Sequence, residues 1–136
     1  MRDASARQGG LTLVLDENLS GKTIAAGLRA AGVSVKLQTE LMPRGVPDDE
    51  VLRYLAQHSG HALLTKDSDF YRHQGTLEAL RRHAVGAFVI TGHKNKTGAQ
   101  LVDLVVAAWP KMLEFASRNP PPFVARIVQG RVVRVV

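Results

Sequence analysis

Seven of the twelve acidic residues fall in three tight groups, Asp16-Glu17, Asp48-Asp49-Glu50 and Asp67 with Asp69, whereas the eighteen Lys and Arg residues are spread along the whole chain. Two carboxylates about 4 Å apart repel by roughly 4 kcal/mol at an effective dielectric near 20, so acids gathered at one point need protons or a cation. There is no cysteine, and the five histidines, at 58, 61, 73, 83 and 93, show no metal-ligand spacing. Carboxylate oxygen is then the donor type on offer, and it suits Mg²⁺ or Mn²⁺. Such ions activate water and stabilise in-line displacement at a phosphodiester. An acidic centre in a chain of net charge +6 points to hydrolysis of a nucleic acid.

For the three groups to meet, the chain must bring them to one place. Leu11 to Leu15 is a continuous apolar run suited to a strand buried on both faces, and Asp16 stands at its end. Ile24, Leu28 and Ala31 recur at helical spacing, Gly32 ends that helix, and Val33, Val35 and Leu37 alternate as a second strand. After a turn-rich loop, Asp48 is placed to cap a helix striped by Val51, Leu52, Leu55 and Ala56. His61 to Thr65 reads as a third strand, with Asp67 and Asp69 just beyond it. A helix around Thr76 to His83 leads to a fourth strand, Gly86 to Thr91.

Leu101, Leu104, Val105, Ala108, Met112 and Leu113 then mark a long amphipathic region that Pro110 is expected to kink or split after Trp109. The tail, 123–128 and 131–136 around Gln129-Gly130, reads as a closing hairpin. Strands alternating with helices imply an α/β fold with a mainly parallel sheet of about four strands. Ligands bind outside the carboxyl ends of such strands. In a 2-1-3-4 strand order Asp16 and Asp67 share one crevice, and the loop carrying Asp48 closes over it.

Composition narrows the classes. With 136 residues, 45% of them hydrophobic, the chain supports one core and a single domain over 11–136, preceded by a flexible tail of residues 1–10. The longest apolar runs, such as Leu104 to Trp109, are far short of the roughly 20 residues a membrane span needs. The polar start MRDASARQGG has no signal-peptide core, and a cytoplasmic setting is expected. Only seven residues are aromatic, which disfavours modules that stack bases on exposed rings and favours phosphate contacts.

LVLDENLS, RGVPDDEVLRYL and ALLTKDSDF, in this order and spacing, resemble the PIN-like domains, particularly the VapC-type ribonuclease toxins of bacterial toxin–antitoxin modules. The likeness runs from about Leu11 to Thr91, and the tail NPPPFVARIVQGRVVRV is similar to the ends of one subgroup. It implies a three-layer fold and a metal-dependent endoribonuclease whose Mg²⁺ or Mn²⁺ is held by three or four acids. A cognate antitoxin and a homodimer are implied as partners. Carried over by motif, the ligands are Asp16, Asp67 and Asp69, with Asp48 the middle acid by its match to the residue that opens the helix. Glu17 and Asp49 are secondary candidates, and the Asp-Glu-Asn form of the first motif departs from the commoner pattern. Lys66 and Arg44 flank the crevice and are candidates for holding RNA phosphates.

Each residue also has a plainer reading. Asp48, Asp49 and Glu50 suit a helix N-terminus, Asp67 and Asp69 suit an Asx turn, and Lys66 and Arg44 suit a solvated surface. Thr65 is placed to orient a carboxylate, yet a buried strand threonine needs no such role. Asn18 and Ser20 read as caps of the first helix. Asp16 is the hardest to explain structurally, since a carboxylate ending an apolar strand must be paired or functional. A receiver domain is disfavoured because SDFYRHQG, not a Met-Pro turn, follows Asp67. The remaining alternative is a noncatalytic PIN-like module that binds RNA or protein.

Overall fold

The computed structural model describes residues 10–19, 21–92 and 94–136; most of the expected N-terminal tail lies outside them. One six-stranded sheet, ordered β2-β1-β3-β4-β5-β6, organises the chain. Its strands are β1 (Thr12–Leu15), β2 (Val35–Leu37), β3 (His61–Thr65), β4 (Gly86–Ile90), β5 (Phe123–Val128) and β6 (Arg131–Arg134). The first five are mutually parallel and only β6 turns back, pairing antiparallel with β5. The expected 2-1-3-4 order is present, with the hairpin extending it by two strands.

Helices cover both faces. On one side α1 (Lys22–Ala30) and the 21-residue α6 (Gly98–Arg118) pack on Leu13, Leu15, Leu64, Phe88 and Ile127. On the other, α3 (Asp48–Ala56) and α5 (Gln74–His83) pack on Val14, Leu63, Val89 and Val124. Successive residues of a strand face opposite sides, so a continuous apolar run is what a sheet buried on both faces requires. Among the described residues, no helix is long and apolar enough to cross a membrane.

Four local expectations are corrected. Pro110 does not split α6, which runs unbroken through it. The proline is exposed, so its missing N–H and its ring fall on the solvent side while Leu101, Val105, Ala108 and Met112 keep the buried stripe continuous. Asp48 does not cap α3. The Pro47 carbonyl accepts the first helical bonds, from the N–H groups of Glu50 at 2.9 Å and Val51 at 3.3 Å, and Asp48 becomes the first helical residue. Nor does Asn18 cap α1: it lies in a 3₁₀ turn, Glu17–Leu19, the N-cap is Gly21, and Ser20 is outside the described residues. The loop after β2 contains a short helix, α2 (Gln38–Leu41), held where the Leu37 N–H donates to the Glu40 carboxylate at 3.2 Å.

The hairpin turn fits its sequence. Gln129 and Gly130 both have positive φ, +46° and +77°, as a two-residue type I′ turn demands. Across the β4–β5 ladder, Gly86 pairs with Phe123, whose ring packs edge-on against Phe88 and Phe115 with centroids 5.2 and 5.0 Å away. A Cβ at Gly86 would overlap that ring. Gly86→Ala is therefore expected to cost about 1–3 kcal/mol of stability by overpacking, read as a lower urea midpoint. An unaltered midpoint would show that the aromatic trio can shift to admit a methyl group.

Candidate active site

The carboxyl ends of β1 and β3 lie side by side because Leu15 pairs with Leu64, and the ladder continues one step further through the Asp16 N–H, which donates to the Leu64 carbonyl at 3.1 Å. Alternation along the two strands sends Asp16 and Thr65 to the face covered by α3 and α5. There both are buried, Asp16 at 8% exposure and Thr65 at 0%.

The Thr65 hydroxyl donates to Asp16 Oδ2, and the Asn18 backbone N–H donates to Asp16 Oδ1 at 2.9 Å. The same Thr65 oxygen accepts the Asp67 N–H at 3.0 Å. One buried hydroxyl thus fixes the strand-one carboxylate and the backbone that presents Asp67. Thr65 is a positioning residue in this arrangement, and its signal in the sequence was its place at the strand end, two residues before Asp67.

The second strand–helix connection reaches the same edge. The Gly45 N–H donates to the Glu17 carboxylate at 3.4 Å, which fastens the loop before α3 over the end of β1. Arg44 is adjacent to that contact and exposed, and Lys66 is half-buried between Thr65 and Asp67. Asp48, at the start of α3, lies within the electrostatic reach of Asp67, Glu17 and His73. The sequence offered no reason to group His73 with the acids; it follows the short helix α4 (Asp69–Arg72) and caps α5, accepting the Thr76 N–H at 3.4 Å.

Proton affinities report the crowding. Burial, chiefly, pushes the Asp16 carboxyl above the usual carboxylate range, and the negative field of Asp67 adds to it; the bonds from Thr65, Asn18 and Leu19 oppose the rise. Asp48 is also raised, by partial burial and then by Asp67 and Glu17, with His73 opposing.

The other middle acids turn elsewhere. Residues in a helix advance by about 100° each, so neighbours on α3 address different surroundings. Asp49, a secondary ligand candidate, is not brought to the group: it accepts from Arg82 at 2.6 Å and lies 3.1 Å from His83 Nε2, and these bonds, His83 first, hold its carboxyl below the usual range. Glu50 pairs with Arg53 one turn on. The Asp69 backbone opens α4 two residues after Asp67, while its side chain lies outside what the structure describes.

The donors fit a hard divalent cation in kind, being carboxylate oxygens with few positive neighbours. Among the described residues, no three His, Asp or Glu side chains converge as a complete ligand set. A family model described as a PIN like domain matches residues 11–92, more than half of the chain, and the chain belongs to that family. No curated protein and no solved structure matches it.

A carboxyl that binds its proton more tightly folded than unfolded contributes stability in acid, and that contribution is lost as pH rises from 3.8 through the higher folded value. Asp16→Asn removes this loss. In chelated buffer its melting temperature is expected to exceed that of the wild type at neutral pH, on the order of 3 °C, with the gain disappearing in acid. A variant that melts below the wild type at neutral pH would show that Asp16 is stabilised there as a carboxylate.

Proposed function

We propose that the chain is a metal-dependent endoribonuclease that hydrolyses RNA phosphodiester bonds with Mg²⁺ or Mn²⁺. The observation that carries this reading is Asp16, a buried carboxylate ending β1 that accepts from Thr65 and from the Asn18 N–H, with the same Thr65 oxygen holding the backbone of Asp67. Membership of a family that includes nucleases supports it. Asp16, Asp67 and Asp48 would hold the ion together with Asp69, and Glu17 would stand behind them, tied to the Gly45 N–H. Bound there, a divalent cation supplies an activated water and charge stabilisation at the phosphodiester.

The chain's own residues do the rest. Thr65 keeps Asp16 in one rotamer and its hydroxyl proton directed to Oδ2, so that the remaining lone pairs of the carboxylate face the crevice. Lys66 and Arg44 contact the phosphates flanking the scissile bond. The resemblance of the three acidic motifs to VapC-type toxins supports a finer reading, in which this ribonuclease is the toxin of a type II pair, acts in the cytoplasm, and is held by a cognate antitoxin, with a homodimer as the working form.

A noncatalytic PIN-like module that binds RNA or protein is the second reading, favoured by the incomplete convergence of the described acids. Two measurements separate the readings. Asp16→Asn should abolish RNA hydrolysis with its fold intact by circular dichroism, because it removes a charged ligand and keeps the size; wild-type turnover in that variant, with contaminating nucleases excluded, would sink the proposed site. Mn²⁺ at about 100 times its Kd should stabilise the wild type by roughly 2.7 kcal/mol, and the Asp16, Asp67 double variant much less. Superimposable wild-type melts with Mn²⁺ and with chelator would favour the noncatalytic module.

A further inference from the structure

A groove of about 610 Å³ opens on the carboxyl edge of the sheet at the ends of β4 and β5, between the first turns of α6 and the hairpin turn. It is separate from the carboxylates, which lie at β1 and β3 on the face of α3 and α5. Strands are spaced about 4.8 Å apart and packed layers about 10 Å apart, so the groove lies on the order of 10–15 Å from Asp16 across the same edge. Its volume falls within the range of a small-ligand site of roughly 300–1,000 Å³.

Its walls differ in character. Leu104, Ala107 and Val128 form an apolar side, while Lys96, Gln100 and Asp103 supply a cation, an amide and a carboxylate. Lys96, Gln100 and Asp103 are exposed at the mouth, so a ligand on the apolar side would meet a cation, an amide and a carboxylate together. A nucleotide satisfies all three: a base face on the apolar side, an exocyclic amine donating to Asp103, and a phosphate at Lys96. The connection from β4 to α6 beside the groove carries Lys94 and Lys96 and no acid, which favours a polyanion at this end of the edge.

We infer that this groove is a second nucleotide subsite, which holds an amine-bearing base flanking the scissile bond while the RNA strand crosses the sheet edge from α6 toward Asp16. The inference rests on the ribonuclease reading for the identity of the strand, but it concerns binding, so the two can fail separately. The probe is a fluorescently labelled single-stranded deca-cytidylate RNA, measured by anisotropy in chelator from low to moderate salt, with cleavage of the same RNA assayed separately in Mn²⁺.

Lys96→Gln should weaken binding about fivefold at 0.1 M salt and lower the slope of log affinity against log salt by about 0.7, the effect of one phosphate contact. Ala107→Trp, which fills the groove without altering charge, should weaken binding about tenfold with an unchanged slope. Asp103→Ala should weaken deca-cytidylate and leave deca-uridylate, which has no exocyclic amine, unaffected. All three variants should melt with the wild type, so that a loss of binding is not a loss of fold. Wild-type affinity and slope in both Lys96→Gln and Ala107→Trp would overturn the subsite even if the wild type cleaves RNA. Wild-type protein that neither binds nor cleaves the strand would overturn the subsite and the ribonuclease reading together.

Discussion

The hydrogen bond from the Thr65 hydroxyl to Asp16 is the contact on which the geometry of the crevice depends. A carboxylate at the end of a fully buried strand has lost most of its water, and without a donor it would relax outward or keep its proton. Thr65 and the Asn18 N–H each donate to one of its oxygens, so the group is held in place with further lone pairs available. Thr65 reaches Asp16 because β1 and β3 are adjacent and in register, Leu15 against Leu64. That adjacency follows from the connection through β2, which sits on the outer side of β1 and leaves its inner side to β3.

Much of this was legible in the amino-acid pattern. Strands buried on both faces read as apolar runs, and 61–65 was legible as a strand with the bounds it has in the fold. The departures are places where tertiary context outweighed a local rule. Proline opposes a helix through its missing N–H and its ring, but at position 110 both fall on the exposed side and the buried stripe of Leu101, Val105, Ala108 and Met112 carries the helix through. Asp48 has the side chain of a good cap, but Pro47 precedes it in an extended conformation and its carbonyl starts the helix. The pairing of Asp49 with Arg82 and His83 spans more than thirty residues, and nothing local in the sequence announces which cation will face it.

Adjacent acids on one helix have consequently acquired opposite characters. Asp49 is drained of proton affinity by two donors on α5, so it stays charged and ties the two helices together near the protein surface. Asp48 faces other carboxylates and holds its proton more tightly than usual. A rotation of about 100° per residue converts a one-step difference in sequence into a choice between a cross-helix ion pair and an acidic crevice. Like charges brought together oppose folding, and the contacts that overdetermine them are apolar: Val51, Leu52 and Leu55 of α3 are buried beneath Asp48 and fix the start of the helix relative to the sheet.

The same edge of the sheet carries the basic connections, and the fold explains why the two signs can coexist there. Asp16 terminates β1 and is buried against the core, whereas Asp48 and Asp67 are exposed, as are Lys22, Arg44, Lys94 and Lys96 on the connections around them, where long side chains keep their heads in water. One buried carboxylate, Asp16, is therefore flanked by exposed acids, with exposed cations on the surrounding connections. A polyanionic strand is attracted by these cations at long range, and its close approach to the carboxylates requires positive charge at the centre. In the proposed ribonuclease reading, attraction of the strand and demand for a cation thus arise from one arrangement of charge along the carboxyl edge of the sheet.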